Sequence, residues 1–165
     1  MRIRQSLVSL LTVSLVLSLS PTVSAQWFRD GERTPDRPWS KSVGTFGAML
    51  LLSDAPDEFL DNWSQRTPGV SIRTTRTGQR GVPLAPFILF VGCKENDAAS
   101  CNTSFDLKVL KPDGSEYFST NNLELWRGKP NPQMGTLGLG IGYTEIDLKP
   151  HDPLGRYLVR AQIRD

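Results

Sequence analysis

The chain has 165 residues, with 19 Lys and Arg against 17 Asp and Glu and a formal charge of +2. That near balance offers no clustered positive excess for a phosphate backbone, so nucleic acid is not an expected partner. Two cysteines and one histidine are too few for a zinc centre.

Arg2 and Arg4 precede an apolar stretch from Ser6 to Leu19, and Val23-Ser24-Ala25 supplies small residues for cleavage. This is the layout of a secretory signal peptide over residues 1–25, with the cut expected after Ala25. A spanning helix needs about 20 apolar residues, and this run is shorter and breaks at Pro21. No Cys follows the cut, so a lipid anchor is not expected. The short leader looks bacterial. It points to the periplasm or to secretion, with membrane contact only during export. Losing Arg2 and Arg4 brings the basic count level with the 17 acidic residues. The mature chain is then neutral and long enough for one ordinary core.

Residues 26–42 are rich in charge and proline and lack a hydrophobic period, so they read as an extended lead-in to a domain over 43–165. Trp27, Phe28 and Trp39 stand out there. They either dock onto the domain or contact a partner, and docking is favoured because large aromatics bury much area. Phe46 to Leu52 is apolar throughout, which suits a strand or a buried helix. Ser53 or Asp54 is placed to cap a short helix with Pro56 in its first turn, and Asp57 and Glu58 complement its positive end. Phe59, Leu60 and Trp63 would share that helix's buried face, as a lid on one end of the domain. Val70 to Thr75 alternates as a strand would. Arg73, Arg76 and Arg80 then form a basic cluster around a Gly-containing link. It is either an anion-binding patch or, the favoured reading, a solvated hairpin end.

Phe87 to Val91 is a continuous apolar run, as in a central strand covered on both faces. Cys93 and Cys101 follow. In an oxidising compartment such a pair reads as a structural disulfide, its spacing being too wide for a C-x-x-C redox pair. Phe105, Leu107 and Val109 alternate with Asp106, Lys108 and Leu110. Pro112-Asp113-Gly114 makes a turn. Glu116 to Ser119 and Leu123 to Trp126 read as two short strands separated by a turn at Asn121-Asn122. Residues 128–135 form a proline-rich loop.

The last segment holds the strongest pattern. Leu137, Leu139, Ile141 and Tyr143 fall on one face of a strand, and Gly138, Gly140 and Gly142 on the other. Bare glycines let a backbone or flat ligand approach closely, or mark a bulged and twisted strand, the favoured reading. They lack the strand-to-helix context of a dinucleotide site. Beyond a corner, Tyr157, Val159, Ala161 and Ile163 alternate with Arg156, Leu158, Arg160, Gln162 and Arg164. The corner run Asp152-Pro153-Leu154-Gly155-Arg156-Tyr157 resembles the D-x-G-x-Y motif of bacterial immunoglobulin-like domains, with one extra residue between Asp and Gly. The resemblance implies a structural role for Asp152, Gly155 and Tyr157, with the tyrosine hydroxyl bonded back to backbone. Val159 stands where antibody domains carry their second Cys, so that inter-sheet disulfide is not implied.

Seven or eight short strands with turns between them predict a mainly β, antiparallel sandwich with one short helix near 54–63, and the corner resemblance implies an immunoglobulin-like one. Its last strand would leave an edge that is covered by an earlier segment such as the lead-in, is continued in a longer natural chain, or is open to strand addition by a partner. His151, the lone histidine, lies in a turn, and no nucleophile or metal motif accompanies it. The expectation is a non-enzymatic binding module without cofactor. It would contact a protein or envelope component through loops 76–86 and 128–136, the lead-in or the open edge. Alternatives are an inhibitor or immunity protein acting on an envelope enzyme, and a hydrolase with a carboxylate pair assembled in space.

Overall fold

The computed structural model describes residues 27–29, 32–65, 72–133, 136–140, 142 and 144–165. Residues 1–25, read as a leader, lie outside the described residues, as do Val70, Ser71, Ile141 and Tyr143. Over the described residues the chain is mainly β with one short helix. In order it forms β1 (Phe28–Arg29), β2 (Glu32–Arg33), β3 (Ser40–Val43), β4 (Phe46–Ser53), α1 (Pro56–Ser64), β5 (Ala85–Val91), β6 (Cys101–Leu110), β7 (Glu116–Lys129), β8 (Gly138–Leu139) and β9 (Leu158–Arg164). Two antiparallel sheets hold most of it, in the orders β3-β4-β5-β8 and β7-β6-β9, while β1 and β2 make a separate small ribbon. The four-stranded sheet begins at Ser40, inside the segment read as lead-in.

The apolar run 46–52 is a strand, and its register with β5 carries Gly47 opposite Val91 through to Ser53 opposite Ala85. β5 is buried on both faces. Ile88 and Phe90 point into the main core with Phe105, Leu107 and Leu125 of the other sheet. Ala85 and Phe87 point the other way, onto Phe59 of α1. A strand covered on both sides has no use for alternation, which is why its sequence is apolar without a break. The rings of Phe59 and Phe87 stack with centroids 4.0 Å apart. Phe59 is fully buried, whereas Leu60 and Trp63 are half-buried. The cap of α1 differs from expectation. Ala55 is the N-cap and no side chain bonds the first turn. Ser53 instead accepts the amide of Ala55 itself at 3.1 Å, ahead of the first turn, and Asp54 pairs with Arg73.

Cys93 leaves the four-stranded sheet and Cys101 opens β6 in the other. The two lie at disulfide distance, with S–S 2.10 Å. The bridge therefore staples the crossover between layers. Along β6, Phe105, Leu107 and Val109 are buried and Lys108 is exposed, and β9 alternates likewise. The turn at 112–114 closes a hairpin into β7, with Asp113 accepting the Ser115 amide at 2.9 Å.

Three strand expectations are corrected. The segments 116–119 and 123–126 are one 14-residue strand, β7, with a bulge where Asn121-Asn122 was read as a turn. Asn122 adopts φ +56°, a left-handed conformation that Asn tolerates, and its amide turns to Asp106 Oδ1 at 2.7 Å. Residues 72–75 form no strand and are tied to β4 by the Thr75 amide on the Leu52 carbonyl at 2.8 Å. The glycine-rich stretch is regular only over Gly138–Leu139, and Leu139 packs half-buried beside Phe59 and Phe87. Gly138 and Gly140 are buried, while Leu137 is exposed. A Cβ on Gly140 would sit 2.4 Å from Leu125 Cδ1, and one on Gly142 would sit 2.6 Å from the Glu124 carbonyl oxygen. The close approach is made by the opposite sheet of the same chain. The ladder beside β5 is then interrupted and resumes at the Leu84–Ile146 bridge. β8 and β9 do not pair. They belong to different sheets, so the corner between them crosses from one layer to the other.

Candidate functional site: an arginine-rimmed cleft

At the end of the sandwich beneath that corner, the space between the layers opens into a cleft of about 360 Å³. Leu84, Val109 and Ile146 form a small buried core there, with Leu148, Tyr157 and Val159 packed around it. The residues come from both sheets. Val109 lies on β6 and Val159 on β9, while Leu84 and Ile146 continue the line of β5 and its neighbour. The Gly81 amide bonds to the Leu148 carbonyl at 2.8 Å and fixes one wall. Gly78 lies against Leu84, and a Cβ there would come within 2.7 Å of it.

The mouth is basic. Arg76, Arg80 and Arg156 line it, and Leu154 stands beside them 82% exposed. The guanidinium of Arg76 lies 4.2 Å from the centre of the Trp39 ring, and Arg80 donates to the carbonyl of Asp152. Among the described residues none of these three arginines pairs with a carboxylate. Among the described residues Asp152 is the one acidic residue on the lining, and its Oδ2 is already engaged. It accepts the Lys149 amide at 2.6 Å and the Tyr117 hydroxyl at 2.7 Å. The tyrosine hydrogen bond, then the amide, holds Asp152 below the usual carboxylate range. Loss of water around Tyr117, then its bond to Asp152, pushes its phenol up to about 12. Tyr157 donates to the Pro153 carbonyl at 2.9 Å and meets the Tyr117 ring edge-on at 5.7 Å. Gly155, at φ +143°, lies where a Cβ would strike Pro112. The corner is thus a polar knot that holds one wall of the cleft in place.

The residues singled out from sequence are distributed unevenly around this site. Arg76 and Arg80 belong to it. Arg73 does not, being drawn away by Asp54 at 3.1 Å and Glu58 at 4.0 Å. Trp39 supports Arg76 from behind, and its carbonyl accepts the Leu50 amide at 2.8 Å. Trp27 is half-buried over Gly47. Gly140 and Gly142 lie against the opposite sheet, Gly138 lies against Phe90 and Pro132, and Cys93 and Cys101 lie elsewhere, on the crossover. β9 is an edge strand of its sheet among the described residues. Leu84, Ile146 and Leu148 were not singled out. Ile146 and Leu148 alternate with charged neighbours in Glu145-Ile146-Asp147-Leu148-Lys149, a pattern that marks an inward face even without a full strand.

Among the described lining residues Asp152 is a single carboxylate, where a glycosidase uses a pair. Among the described residues no group of His, Cys, Asp and Glu is placed to hold a metal, and no helix is long and apolar enough to cross a membrane. What the arrangement can do is exclude water from an apolar group while presenting fixed positive charge at its edge.

No protein-family model matches the chain, and no curated protein does. Among solved structures, the variable domain of the Streptococcus agalactiae AgI/II polypeptide BspA aligns over 89% of this chain and 90% of that chain. Its identity is 12% and its TM-score 0.21, a likeness too faint to carry an argument.

Proposed function

We propose that the chain is an exported, non-enzymatic binding module of immunoglobulin-like build that engages its partner through the cleft under the corner. The observation that carries this reading is the apolar opening between the sheets, rimmed by three arginines that have no carboxylate partner among the described residues. Binding sites are commonly apolar concavities with a few fixed polar groups. Export is supported by the leader pattern at 1–25 and by a cysteine pair at disulfide distance, which suits an oxidising compartment. The periplasm or the medium is the expected location, and an envelope component the expected partner.

Photo-crosslinking in the producing cell tests this. A benzophenone amino acid is placed at position 154 or at position 43, where Leu154 and Val43 are 82% and 81% exposed. The expected result is an adduct from 154 and none from 43. Equal capture from both, or none from either, would count against the cleft as the contact site. A second reading, an inhibitor of an envelope enzyme, is favoured by the protrusion of Leu154 at the tip of the corner. It predicts that the captured partner is an enzyme whose activity falls when the purified domain is added.

A further inference from the structure

Resting on that reading, we propose that the cleft takes a free single-chain carboxylate amphiphile. Its acyl chain would run between the two sheets, and its head would sit on Arg76, Arg80 and Arg156. Three observations lead there. The floor is apolar and is built from both layers, so a ligand entering it slides into the interlayer space rather than lying on a sheet face. The volume, about 360 Å³, is at the small end of the range for small-molecule sites, which suits a slender chain.

Charge gives the third argument. Among the described lining residues three arginines face a single carboxylate, Asp152, and the neutral side chain of Gln79 adds no charge. Thr75 Oγ1 bonds to the Thr77 carbonyl at 2.8 Å, and the Asp152 carboxylate is held by Tyr117 and Lys149. The charge left to complement is cationic. A planar guanidinium matches a carboxylate with two parallel hydrogen bonds. Arg76 is held against the Trp39 ring and Arg80 by the Asp152 carbonyl, so both are pre-positioned before a ligand arrives.

The test is calorimetric titration of residues 26–165, disulfide intact, with hexanoate, octanoate and decanoate, and with octanol and octylammonium as neutral and cationic counterparts. All are kept below micelle formation. Affinity is expected to rise about fourfold for each added methylene until the cleft is full. Octanol and octylammonium should bind about tenfold or more weakly than octanoate, and Arg156→Gln and Arg76→Gln should each weaken octanoate by about fivefold or more, with the circular-dichroism spectrum unchanged. Because Arg80 also braces the corner, the two other arginines carry the test. Octanol binding as tightly as octanoate would overturn the proposal, as would no heat from any carboxylate at millimolar concentration with the folded protein. If the carboxylates fail while position 154 still crosslinks a partner, the ligand class falls and the binding-module reading stands. If both are silent, both fall.

Discussion

Tyr117 and Asp106 show how single side chains fix the backbone on either side of β6. The phenol of Tyr117 is pushed up to about 12, first by its loss of water and then by the Asp152 carboxylate it bonds. A group raised above its unfolded value near 10 stabilises the fold fully below that pH and ceases to do so as pH rises through about 12. Urea midpoints should therefore fall between pH 10 and 12, and Tyr117→Phe should remove most of that fall while lowering the midpoint at pH 7. Asp106 behaves in the opposite sense. Its pair with Arg164, at 2.6 Å to each carboxylate oxygen, and then the Asn122 amide bring it down to about 2. Its contribution is present above about pH 4 and is lost as pH falls through about 2. Asp106→Asn should flatten the acid limb of the stability curve over that window, and Arg164→Gln should do so in part. Neither role was legible in the sequence. Asp106 appeared only as the wet half of an alternation. Asn121-Asn122 carried genuine turn chemistry, and the left-handed residue it signalled is present. A bulge and a turn ask for the same backbone at that residue. What separates them is a hydrogen-bond partner 16 residues away, which no local window contains.

At the scale of elements, α1 is held to the sheet chiefly by one ring. Phe59→Ala should cost about 3–5 kcal/mol, read from urea unfolding, because it empties a fully buried site stacked on Phe87. The crossover staple closes a loop of eight-residue separation, so Cys93→Ser with Cys101→Ser should cost about 2.5 kcal/mol by loop entropy. Gly140→Ala should cost about 1–3 kcal/mol, since the new methyl meets Leu125 in the core. β6, β9, the 112–114 turn and the helix were readable because each rests on local rules: period-two burial, turn residues, a proline near the helix start. The glycine stretch forms a shorter strand than its alternation suggests, and the close approach weighed for it is present, for an equally physical reason. Alternation says that two faces differ but not which is inside, and here Leu125 and the Glu124 carbonyl occupy the room that side chains would need. Helix capping was misplaced by one residue because Ser53 bonds the amide before the first turn.

For the whole molecule, what matters is that β8 and β9 sit in different sheets. The chain between them must cross the open end of the sandwich, and it does so as a corner braced by Tyr117, Tyr157 and Arg80. That crossing leaves the interlayer space accessible beneath it and places Arg156 at the rim. Half of the site was visible in advance, since Arg76, Arg80 and the corner residues stood out by charge and motif. The floor was not, because Leu84, Val109, Ile146 and Val159 come from four separated segments that only the sheet order brings together. The most direct measurement is a set of amide spectra of isotopically labelled residues 26–165 with and without an extract of the producing cell's envelope. The account predicts shifts concentrated at Arg80, Leu84, Ile146, Leu148 and Tyr157, with β3 and the β3–β4 turn silent. Shifts centred on that turn or on the outer edge of β7, or no shifts at all, would contradict it.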